Sequence, residues 1–547
     1  MSKYVLVSDM TLLYDYHYFP LLDFLPVASS NLVPGLIYRY LKGKVSPPTD
    51  RGELKYAPYS IRKLEAALKI KGLDVAVPHP DFIENFVDET TEIIAVSTMD
   101  PLGLGPLTMS YKVLFRSKAD PWVKVEWDAL IQRLNVIRKE KKTRLVVGGP
   151  GIWEFTIRPD LIEKYNIDYV VQGEVDDVIV ELFEGISEDR LDKNLFINGY
   201  ASFDSDFHRF YVKSERFITR RPNGFPSLDN IPLIVNPSMK SLTEIMRGCG
   251  IGCDFCEVTL RPLRYYPIDW VVREVAVNVK GGYGNAWLHT DEFFGYKHGP
   301  KFVPNEDALV ELVQSVMAID GIKSLNPTHA RISPATAYPE LLKKLSEIIG
   351  AGPVNWIGVQ VGIETGSDRL AKLHMPSKAM PLRIGADGSW ADIVAEGTKN
   401  MNMFYWRPAF TVQVGQESET DEDNWDTVAL INRMSNSEVM GRPLEFTVTP
   451  MQNVPLGVLK SEEFKELELN ESQLAVYYAS YRHLAKMAVR DGFKEGRSGY
   501  LSTLINGTLI SIGGMAMLRA VEAILKRRNL DVEKVKNYID NKPIICS

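Results

Sequence analysis

The first 190 residues alternate short apolar runs with longer amphipathic segments. The apolar runs predict β-strands at residues 4–9, 73–78, 92–98, 144–149 and 168–173. The amphipathic segments between them predict helices at residues 60–71, about 125–140 and 158–165. Short, almost entirely apolar strands that alternate with helices are typical of a parallel sheet buried on both faces. We therefore expect residues 1–190 to form an α/β domain.

The alternation breaks off between residues 191 and 240, where turn formers and aromatic residues predict a linker with a small hairpin. A second β/α series begins at residue 241. Its predicted strands lie near residues 243–247, 285–290, 326–332, 356–362, 409–414 and 444–449, and its predicted helices at 268–280, 305–318, 338–349, 390–401 and 422–434. Six such units would close into a partial parallel barrel over residues 241–459. The helical pattern that follows predicts a helical C-terminal domain over residues 460–547.

Composition narrows the class of protein. With 547 residues, 45% of them hydrophobic, the chain can build several ordinary cores. A formal net charge of −7 and a pI near 5.8 argue against a general nucleic-acid binder, which would present a basic surface. The opening residues lack the apolar core and cleavage site of a signal peptide. Apart from one doubtful stretch near the C-terminus, no segment is clearly long and apolar enough to span a membrane. We therefore expect a cytoplasmic protein.

Three of the four cysteines lie within eight positions, in the stretch RGCGIGCDFC at residues 247–256. Clustered cysteines in a cytosolic chain more often bind metal or carry out redox chemistry than form disulfides. Cys249, Cys253 and Cys256 follow the first predicted barrel strand, at the end where such barrels place their chemistry. Zinc would need a fourth ligand, from Cys546 or a histidine. Three thiolates can instead hold three irons of a [4Fe–4S] cluster and leave the fourth iron open.

The carboxyl ends of the N-terminal strands form a second candidate site, because open parallel sheets bind ligands there. These ends carry STMD at residues 97–100, GGPG at 148–151 and QGEVDD at 172–177. The glycines would let the backbone approach a bulky ligand. They are equally consistent with ordinary turns.

The C-x3-C-x2-C spacing, with Phe255 before the last cysteine, closely resembles that of the radical S-adenosylmethionine (SAM) superfamily. Further similar segments are LHTDEFFGY (288–296), VQVGIETGS (359–367), PAFTVQVGQESETDED (408–423) and FTVTPMQNVPLG (446–457). The resemblance implies that the three cysteines bind a [4Fe–4S] cluster. It also implies a set of residues around SAM: Phe255, His289, Asp291, Glu292, Glu364, Gly415 and Pro450. One departure is Glu417, which stands where the family's turn usually carries proline.

The same resemblance implies a mechanism. The open iron would chelate the amino and carboxylate groups of SAM, and an electron from a donor such as ferredoxin or flavodoxin would cleave the sulfonium bond. The resulting 5′-deoxyadenosyl radical would abstract a hydrogen atom from the substrate. The cofactor supplies this chemistry, and the protein supplies orientation and exclusion of water.

The region upstream of the cysteines resembles the cobalamin-binding-type, Rossmann-like domain found in one subgroup of radical SAM proteins. This implies that a corrin, or the substrate, faces the residues Ser97, Gly148, Gly149, Gly173 and Glu174. The sequence contains no D-x-H-x-x-G motif, so it offers no histidine as a lower cobalt ligand in that way. Cobalamin binding therefore stays open.

The substrate is suggested by residues 500–525. No charged residue lies between Leu501 and Leu518, and Arg519 and Lys526–Arg528 follow. Such a helix could lie at a membrane surface, line a lipid tunnel, or be buried as a cap on the barrel. The overall layout resembles the archaeal glycerol dialkyl glycerol tetraether (GDGT) ring synthases, which implies an apolar lipid substrate, peripheral membrane contact and cyclopentane ring formation through a new C–C bond.

Two other functions remain open. One is a cobalamin-dependent radical SAM methyltransferase acting on an unactivated carbon. The other is an iron–sulfur or electron-transfer protein that does not cleave SAM.

Overall fold

The computed structural model of the protein describes residues 2–18, 20–199, 203–204, 209–210, 214–221, 224–454, 467–491, 500–528, 531, 533, 535–536 and 538.

The N-terminal domain is built on one sheet, which has seven strands in the described part of the chain. In chain order the strands of this region are β1 (Tyr4–Ser8), β2 (Val75–Ala76), β3 (Ile93–Ser97), β4 (Arg144–Gly148), β5 (Tyr169–Gln172), β6 (Phe196–Asn198), the paired β7 (Phe203–Asp204) and β8 (Arg209–Phe210), and β9 (Phe217–Arg220). The sheet order is β2-β1-β3-β4-β5-β9-β6, and all neighbours are parallel except β9 and β6. The order reverses between β1 and β3, which is where doubly wound sheets of this kind open a ligand crevice.

Helices cover both faces of this sheet. The helices of this region are α1 (Gly35–Leu41), α2 (Tyr59–Ile70), α3 (Pro106–Phe115), α4 (Trp122–Ile137), α5 (Glu154–Ile157), α6 (Asp160–Lys164) and α7 (Ile179–Ser187), of which α3 does not cover the sheet. Successive strand residues point to opposite faces. Val5 and Val7 accordingly pack in one core with Trp127 of α4, whereas Tyr4 and Leu6 pack in another with residues of α2 and α7. Both faces are therefore buried, as the apolar strands predict.

A partial barrel follows. Its strands and ribbons are β10 (Leu242–Glu244), β11 (Met246–Arg247), β12 (Arg264–Tyr265), β13 (Asn285–His289), β14 (Ser324–Pro327), β15 (Ile357–Glu364), β16 (Trp406–Val414), β17 (Glu438–Val439), β18 (Arg442–Pro443) and β19 (Thr447–Gln452). Two parallel three-stranded sheets, β10-β13-β14 and β15-β16-β19, are joined by a parallel bridge between His329 and Gln360. The six predicted barrel strands are thus present in sequence order.

The barrel helices lie between its strands, and two longer helices follow. They are α8 (Ile268–Lys280), α9 (Glu306–Met317), α10 (Ser333–Ala337), α11 (Pro339–Ile349), α12 (Asp368–His374), α13 (Trp390–Met403), α14 (Asp421–Ser435), α15 (Glu471–Asp491) and α16 (Tyr500–Arg527). On α16, Val521 and Leu525 are buried while Ile512 and Met515 are exposed. Among the described residues, no helix is long and apolar enough to cross a membrane.

Helix α3 belongs to the N-terminal domain by sequence but packs on the barrel. Its residues Met109, Val113 and Leu114 are part of the barrel core. The backbone N–H of Gln452, at the end of β19, donates a hydrogen bond to the Ser110 hydroxyl over 2.6 Å. Helix α3 thereby covers the outer side of the last barrel strand.

The prediction that residues 191–240 form a linker is wrong in part. Two of its segments, β6 and β9, are strands of the N-terminal sheet, so this domain continues beyond residue 190 to Arg220. The predicted hairpin is present as the antiparallel pair β7 and β8. These strands escaped the sequence pattern because they are short and lie among turn formers.

Candidate active site

The cysteine loop runs from residue 248 to residue 263, between the paired strands β11 and β12. Gly248 adopts a φ of +77°, and a side chain there would lie 2.7 Å from the Arg261 carbonyl oxygen. Gly250 and Gly252 also have positive φ, at +67° and +83°. Glycine is the residue that adopts this conformation freely. The three glycines therefore let the chain fold back tightly enough to present three cysteines from one loop.

The three thiols lie close together and away from water. Cys253 is buried, and Cys249 and Cys256 are half-buried. Burial raises the pKa of the Cys249 thiol to about 12 and that of Cys253 to about 11, and the neighbouring thiols add to both effects. Burial also raises the pKa of Cys256. Metal binding requires thiolates, so metal ligation and deprotonation would be coupled at this loop.

The fit to a [4Fe–4S] cluster rests on this donor set. Such a cluster takes one thiolate per iron, and the loop offers three free thiols within eight residues of the chain. Cys546, the remaining cysteine, lies outside the described residues.

Glu364 ends strand β15 beside this loop. Its φ is +58°, an uncommon value for a non-glycine residue, and its side chain is buried. One carboxylate oxygen accepts a hydrogen bond from Lys378 Nζ over 2.7 Å, and the other accepts one from Gln413 Nε2 over 2.9 Å. A carboxylate can accept about four hydrogen bonds, so capacity for a ligand remains.

Lys378 is a buried cation that the sequence pattern did not reveal. Burial acts to lower the pKa of its ammonium, but Glu364 and the thiols of Cys253 and Cys256 raise it, and the net shift is upward. Gly362 makes room for this pair, because a side chain there would lie 2.8 Å from Lys378 Nζ. Lys378 therefore joins the carboxylate at the end of β15 to the cysteine loop.

The turn after β13 carries two carboxylates with different roles. Glu292 is fully buried, accepts from Arg331 Nε over 2.7 Å and caps the Phe294 N–H over 2.9 Å. It is thus committed to holding the turn. Asp291 is half-buried, and its charge contributes to the raised pKa values of the Cys249 and Cys256 thiols. Of the two carboxylates in this turn, Asp291 is the one whose charge acts on the cysteines.

His289, at the end of β13, lies on the same side. Its Nδ1 is 3.4 Å from the Thr328 hydroxyl, and its ring centroid is 6.5 Å from that of His329. Burial, with His289 as the next cause, lowers the pKa of His329. Two imidazoles therefore adjoin the carboxyl ends of β13 and β14.

The turn after β16 is held without the family's proline. Gly415 has a φ of +80°, and its N–H and that of Gln416 donate to Glu419 Oε2 over 2.8 and 3.2 Å. His374 Nε2 lies 2.8 Å from the Glu417 carbonyl oxygen. The carboxylate of Glu419, within the turn, and the imidazole of His374, at the end of α12, thus hold the turn that proline would otherwise stiffen.

His374 also holds the cysteine loop. Its Nδ1 is 2.8 Å from Asp254 Oδ2, and its carbonyl oxygen accepts the Asp254 N–H over 3.1 Å. Asp254 lies between two of the cysteines. This buried histidine therefore links the cysteine loop to the turn after β16. A lone histidine at the end of a helix carries no sequence signal for such a role.

The remaining residues predicted around SAM lie nearby in the fold. Phe255 is half-buried and packs against the barrel core. Pro450 lies in β19, opposite Val412 of β16. Neither position tests its predicted contact with SAM.

The glycines at the edge of the N-terminal sheet have separate roles. Gly149 has a φ of +101°, and a side chain there would lie 2.6 Å from the Thr98 carbonyl oxygen. It therefore allows the loops after β3 and β4 to touch. A side chain at Gly148 would meet nothing closer than 3.8 Å. Ser97 makes a hydroxyl contact with Ser60 over 3.3 Å, and Gly173, with a φ of +107°, is exposed.

Glu174 joins this edge to the base of the cysteine loop. Its carboxylate lies 2.8 Å from both Arg247 and Arg264, which are in β11 and β12. Burial acts to raise the pKa of Glu174, but the two guanidinium groups lower it overall. The predicted ligand face of the sheet is therefore connected to the barrel by ion pairs immediately beside the three cysteines.

No protein-family model matches the chain. The chain is similar to two curated tRNA-2-methylthio-N(6)-dimethylallyladenosine synthases. It is 23% identical over 296 residues to that of Bacteroides fragilis (strain YCH46), covering 54% of this chain and 56% of the relative. It is 26% identical over 220 residues to that of Methylococcus capsulatus (strain Bath), covering 38% and 43%. The matched region thus spans about half the length of these relatives.

The fold is shared with the cobalamin-dependent S-adenosylmethionine radical enzyme OxsB, solved with aqua-cobalamin and S-adenosylmethionine bound. The two structures superpose with a TM-score of 0.54 at 12% identity, over 99% of this chain and 78% of that one. At this identity the likeness shows the fold. It confirms the predicted α/β architecture of a parallel-sheet domain, a partial barrel and a helical C-terminal region.

Proposed function

We propose that this protein is a radical SAM enzyme, which cleaves SAM reductively at a [4Fe–4S] cluster and abstracts a hydrogen atom from an unactivated carbon. The observation that carries the proposal is the meeting of three free thiols with Lys378 and Glu364 at the carboxyl ends of the barrel strands. That is the end of a parallel barrel at which chemistry is placed.

The residues of the chain would divide the work as follows. Cys249, Cys253 and Cys256 would hold the cluster, which when bound supplies the electron that breaks the sulfonium bond of SAM. Glu364 would accept hydrogen bonds from SAM, and Lys378 would keep this carboxylate oriented. Both side chains are largely buried, so water has little access to this pair.

The first test measures the iron and sulfide content of the protein and its cleavage of SAM. Anaerobically reconstituted protein should bind about four irons and four sulfides per chain and release 5′-deoxyadenosine from SAM under a strong reductant. Replacing any of the three loop cysteines by alanine should abolish both results. Cys546→Ala is the matched control and should retain both. Cluster loss in the control would overturn the three-cysteine assignment.

A methyl transfer to an unactivated carbon is one finer form of this function. The sheet order, the exposed Gly173 edge and the Glu174 ion pairs support it, because a corrin on that edge would face the cysteine loop. A stoichiometric corrin in the purified protein, and S-adenosylhomocysteine among the products, would favour this form.

The other, more specific version of the proposed function is a reaction on a lipid substrate. The uncharged run from Leu501 to Leu518 lies on a single helix, α16. The resemblance to the GDGT ring synthases stays a prediction. Incubation with SAM, a reductant and an archaeal lipid extract should then give cyclised lipid and 5′-deoxyadenosine without S-adenosylhomocysteine, as read by mass spectrometry.

A further inference from the structure

An apolar surface projects from the N-terminal domain around α1. On this helix Leu36 is 77% exposed, Ile37 50% and Tyr40 51%. Three neighbouring side chains are also exposed: Tyr18, Phe24 and Leu32. These six residues are called the α1 patch below. Contiguous apolar surface of this kind, unlike scattered single residues, marks an interaction site.

The patch is a fixed part of the fold. Tyr38, the buried residue of α1, stacks on Trp122 with ring centroids 4.2 Å apart and an interplanar angle of 4°. Trp122 Nε1 in turn donates to the Val33 carbonyl over 2.9 Å. His17 Nε2 lies 2.7 Å from the Tyr40 carbonyl oxygen, which ties the segment around Tyr18 to the helix. The exposed side chains are therefore presented from a well-packed base.

The geometry of α1 makes the patch convex. At 3.6 residues per turn, Leu36, Ile37, Arg39 and Tyr40 fall within an arc of about 160°, and Tyr38 lies on the opposite side. The helix thus rests on the domain through Tyr38, with Gly35 and Leu41 half-buried, and presents the other side chains outward. A projecting apolar ridge can enter a bilayer without a complementary groove.

The charges beside the patch are positive. Arg39 and Lys44 are exposed, and neither makes an ion pair with another described residue. Of the nearby acidic groups, Asp23 pairs with Lys240 over 2.6 Å, and Asp15 accepts the backbone N–H groups of His17 and Lys44. Both carboxylates are half-buried, whereas the two cations are exposed. Basic residues next to aliphatic and tyrosine side chains fit the interface of an anionic membrane.

We propose that the α1 patch docks the protein on an anionic lipid bilayer, with Leu36 and Ile37 inserted at the acyl boundary and Arg39 and Lys44 against lipid phosphates. The proposal rests on the lipid-substrate form of the proposed function, for which it names the face that meets the membrane. It places the membrane contact away from residues 500–525, for which the sequence left a membrane surface, a lipid tunnel and a buried cap open.

Co-sedimentation of the full chain with vesicles tests the proposal. The protein should bind phosphatidylcholine vesicles that contain phosphatidylglycerol. The double variant Leu36→Ser/Ile37→Ser should partition at least tenfold less, because the inserted methylenes are lost. The double variant Arg39→Gln/Lys44→Gln should lose roughly 25-fold on these vesicles, at about fivefold per charge, and little on pure phosphatidylcholine.

The matched control is Ile512→Ser/Met515→Ser, which removes exposed apolar side chains from α16 and should bind vesicles like the unchanged protein. The proposal is overturned if the unchanged protein does not bind anionic vesicles, or if only the α16 variant loses binding. It is also overturned if the α1 variant instead dissociates an oligomer in sedimentation, since the patch would then join copies of the chain.

Release of 5′-deoxyadenosine in vesicle-free buffer separates this proposal from the proposed function. All three double variants should cleave SAM at the unchanged rate and melt at the unchanged temperature. If the unchanged protein binds vesicles but does not cleave SAM, the proposed function is wrong, whereas the assignment of the α1 patch as the membrane-binding face is retained.

Discussion

Lys378 is the residue on which the charge of the candidate site depends. Glu364 and the thiols of Cys253 and Cys256 lie around it, and all of these groups are neutral or negative. A buried group of like charges is unfavourable unless a cation offsets it. Lys378 supplies that cation at a position from which it acts on Glu364 and on the cysteine loop together.

Replacing Lys378 by methionine should therefore change the cluster's reduction potential. Reduction adds negative charge, and a neighbouring cation stabilises the reduced form. Lys378→Met should keep its iron but show a more negative midpoint potential in a redox titration followed by electron paramagnetic resonance. Lys378→Arg, which keeps the charge, should shift the potential less. Equal potentials in the methionine variant and the unchanged protein would contradict this role.

The carboxylate of Glu364 leads to a second prediction. Glu364→Gln removes an ionised acceptor, which typically costs about 1.5–3 kcal/mol, or roughly 10- to 150-fold in affinity. SAM binding to the anaerobic protein, measured by calorimetry, should weaken by this amount while iron content is unchanged. Glu292→Gln is the control, since that carboxylate is occupied by Arg331 and should affect stability more than SAM affinity. An unaltered SAM affinity would return Glu364 to a purely structural role.

At the scale of elements, the apolar pattern predicted most strands and helices but not the contacts of α3. The five strands predicted before residue 190 and the six predicted barrel strands are all present, because their apolar runs report burial directly. Helix α3 was missed, although Pro106 at its first turn is a helix-start signal. Its packing on β19 joins residues more than 300 positions apart, which a local pattern does not encode.

In the candidate site, too, local sequence patterns point to some residues and not to others. The sequence points to the cysteines because their spacing carries the resemblance, and to Glu364 because it lies in a resembling segment; their roles stay predictions. Lys378 and His374 could not be predicted, since each acts through partners on other elements. Burial of a charge or of an imidazole is visible only once the chain is folded.

Helix α15 is attached to the barrel by a histidine whose titration is measurable. His483 stacks on Phe446 at 3.9 Å, and its Nε2 is 2.9 Å from the Phe446 carbonyl oxygen. Burial is the largest cause that lowers the pKa of His483 from 6.5 to about 4. The imidazole is therefore neutral in the folded protein at neutral pH.

This shift predicts how stability depends on pH. Between pH 6.5 and 4 the unfolded chain binds a proton that the folded chain does not, so the stability present above pH 6.5 is lost as the pH falls through that window. The full loss amounts to about 3 kcal/mol. The free energy of unfolding of His483→Gln, measured by denaturant titration at several pH values, should fall less steeply across the window. Identical slopes for the two proteins would contradict the prediction.

At the scale of the whole molecule, buried ion pairs join the N-terminal domain to the barrel. Lys63 of α2 pairs with Glu274 of α8, and both side chains are almost completely buried. Glu274 also accepts from the Tyr59 hydroxyl over 2.6 Å and from the Ile234 N–H over 3.0 Å. Together with the pairs of Glu174, this contact fixes the sheet edge relative to the cysteine loop, which is the arrangement that any ligand bound between them would require.

The contribution of the Lys63–Glu274 ion pair can be tested by removing one charge at a time. Lys63→Met leaves Glu274 ionised, buried and without its cation, and breaking a buried pair in this way costs about 3–5 kcal/mol. The free energy of unfolding, followed by tryptophan fluorescence, should fall by that amount. In Lys63→Met/Glu274→Gln neither charge is buried alone, so most of the loss should be recovered. Lys344→Met, at the exposed pair with Glu306, is the control and should leave stability unchanged. If the Lys63 variant unfolds at the same denaturant concentration as the unchanged protein, the pair does not hold the domains together, and their relative position must instead depend on the packing of α3 against β19.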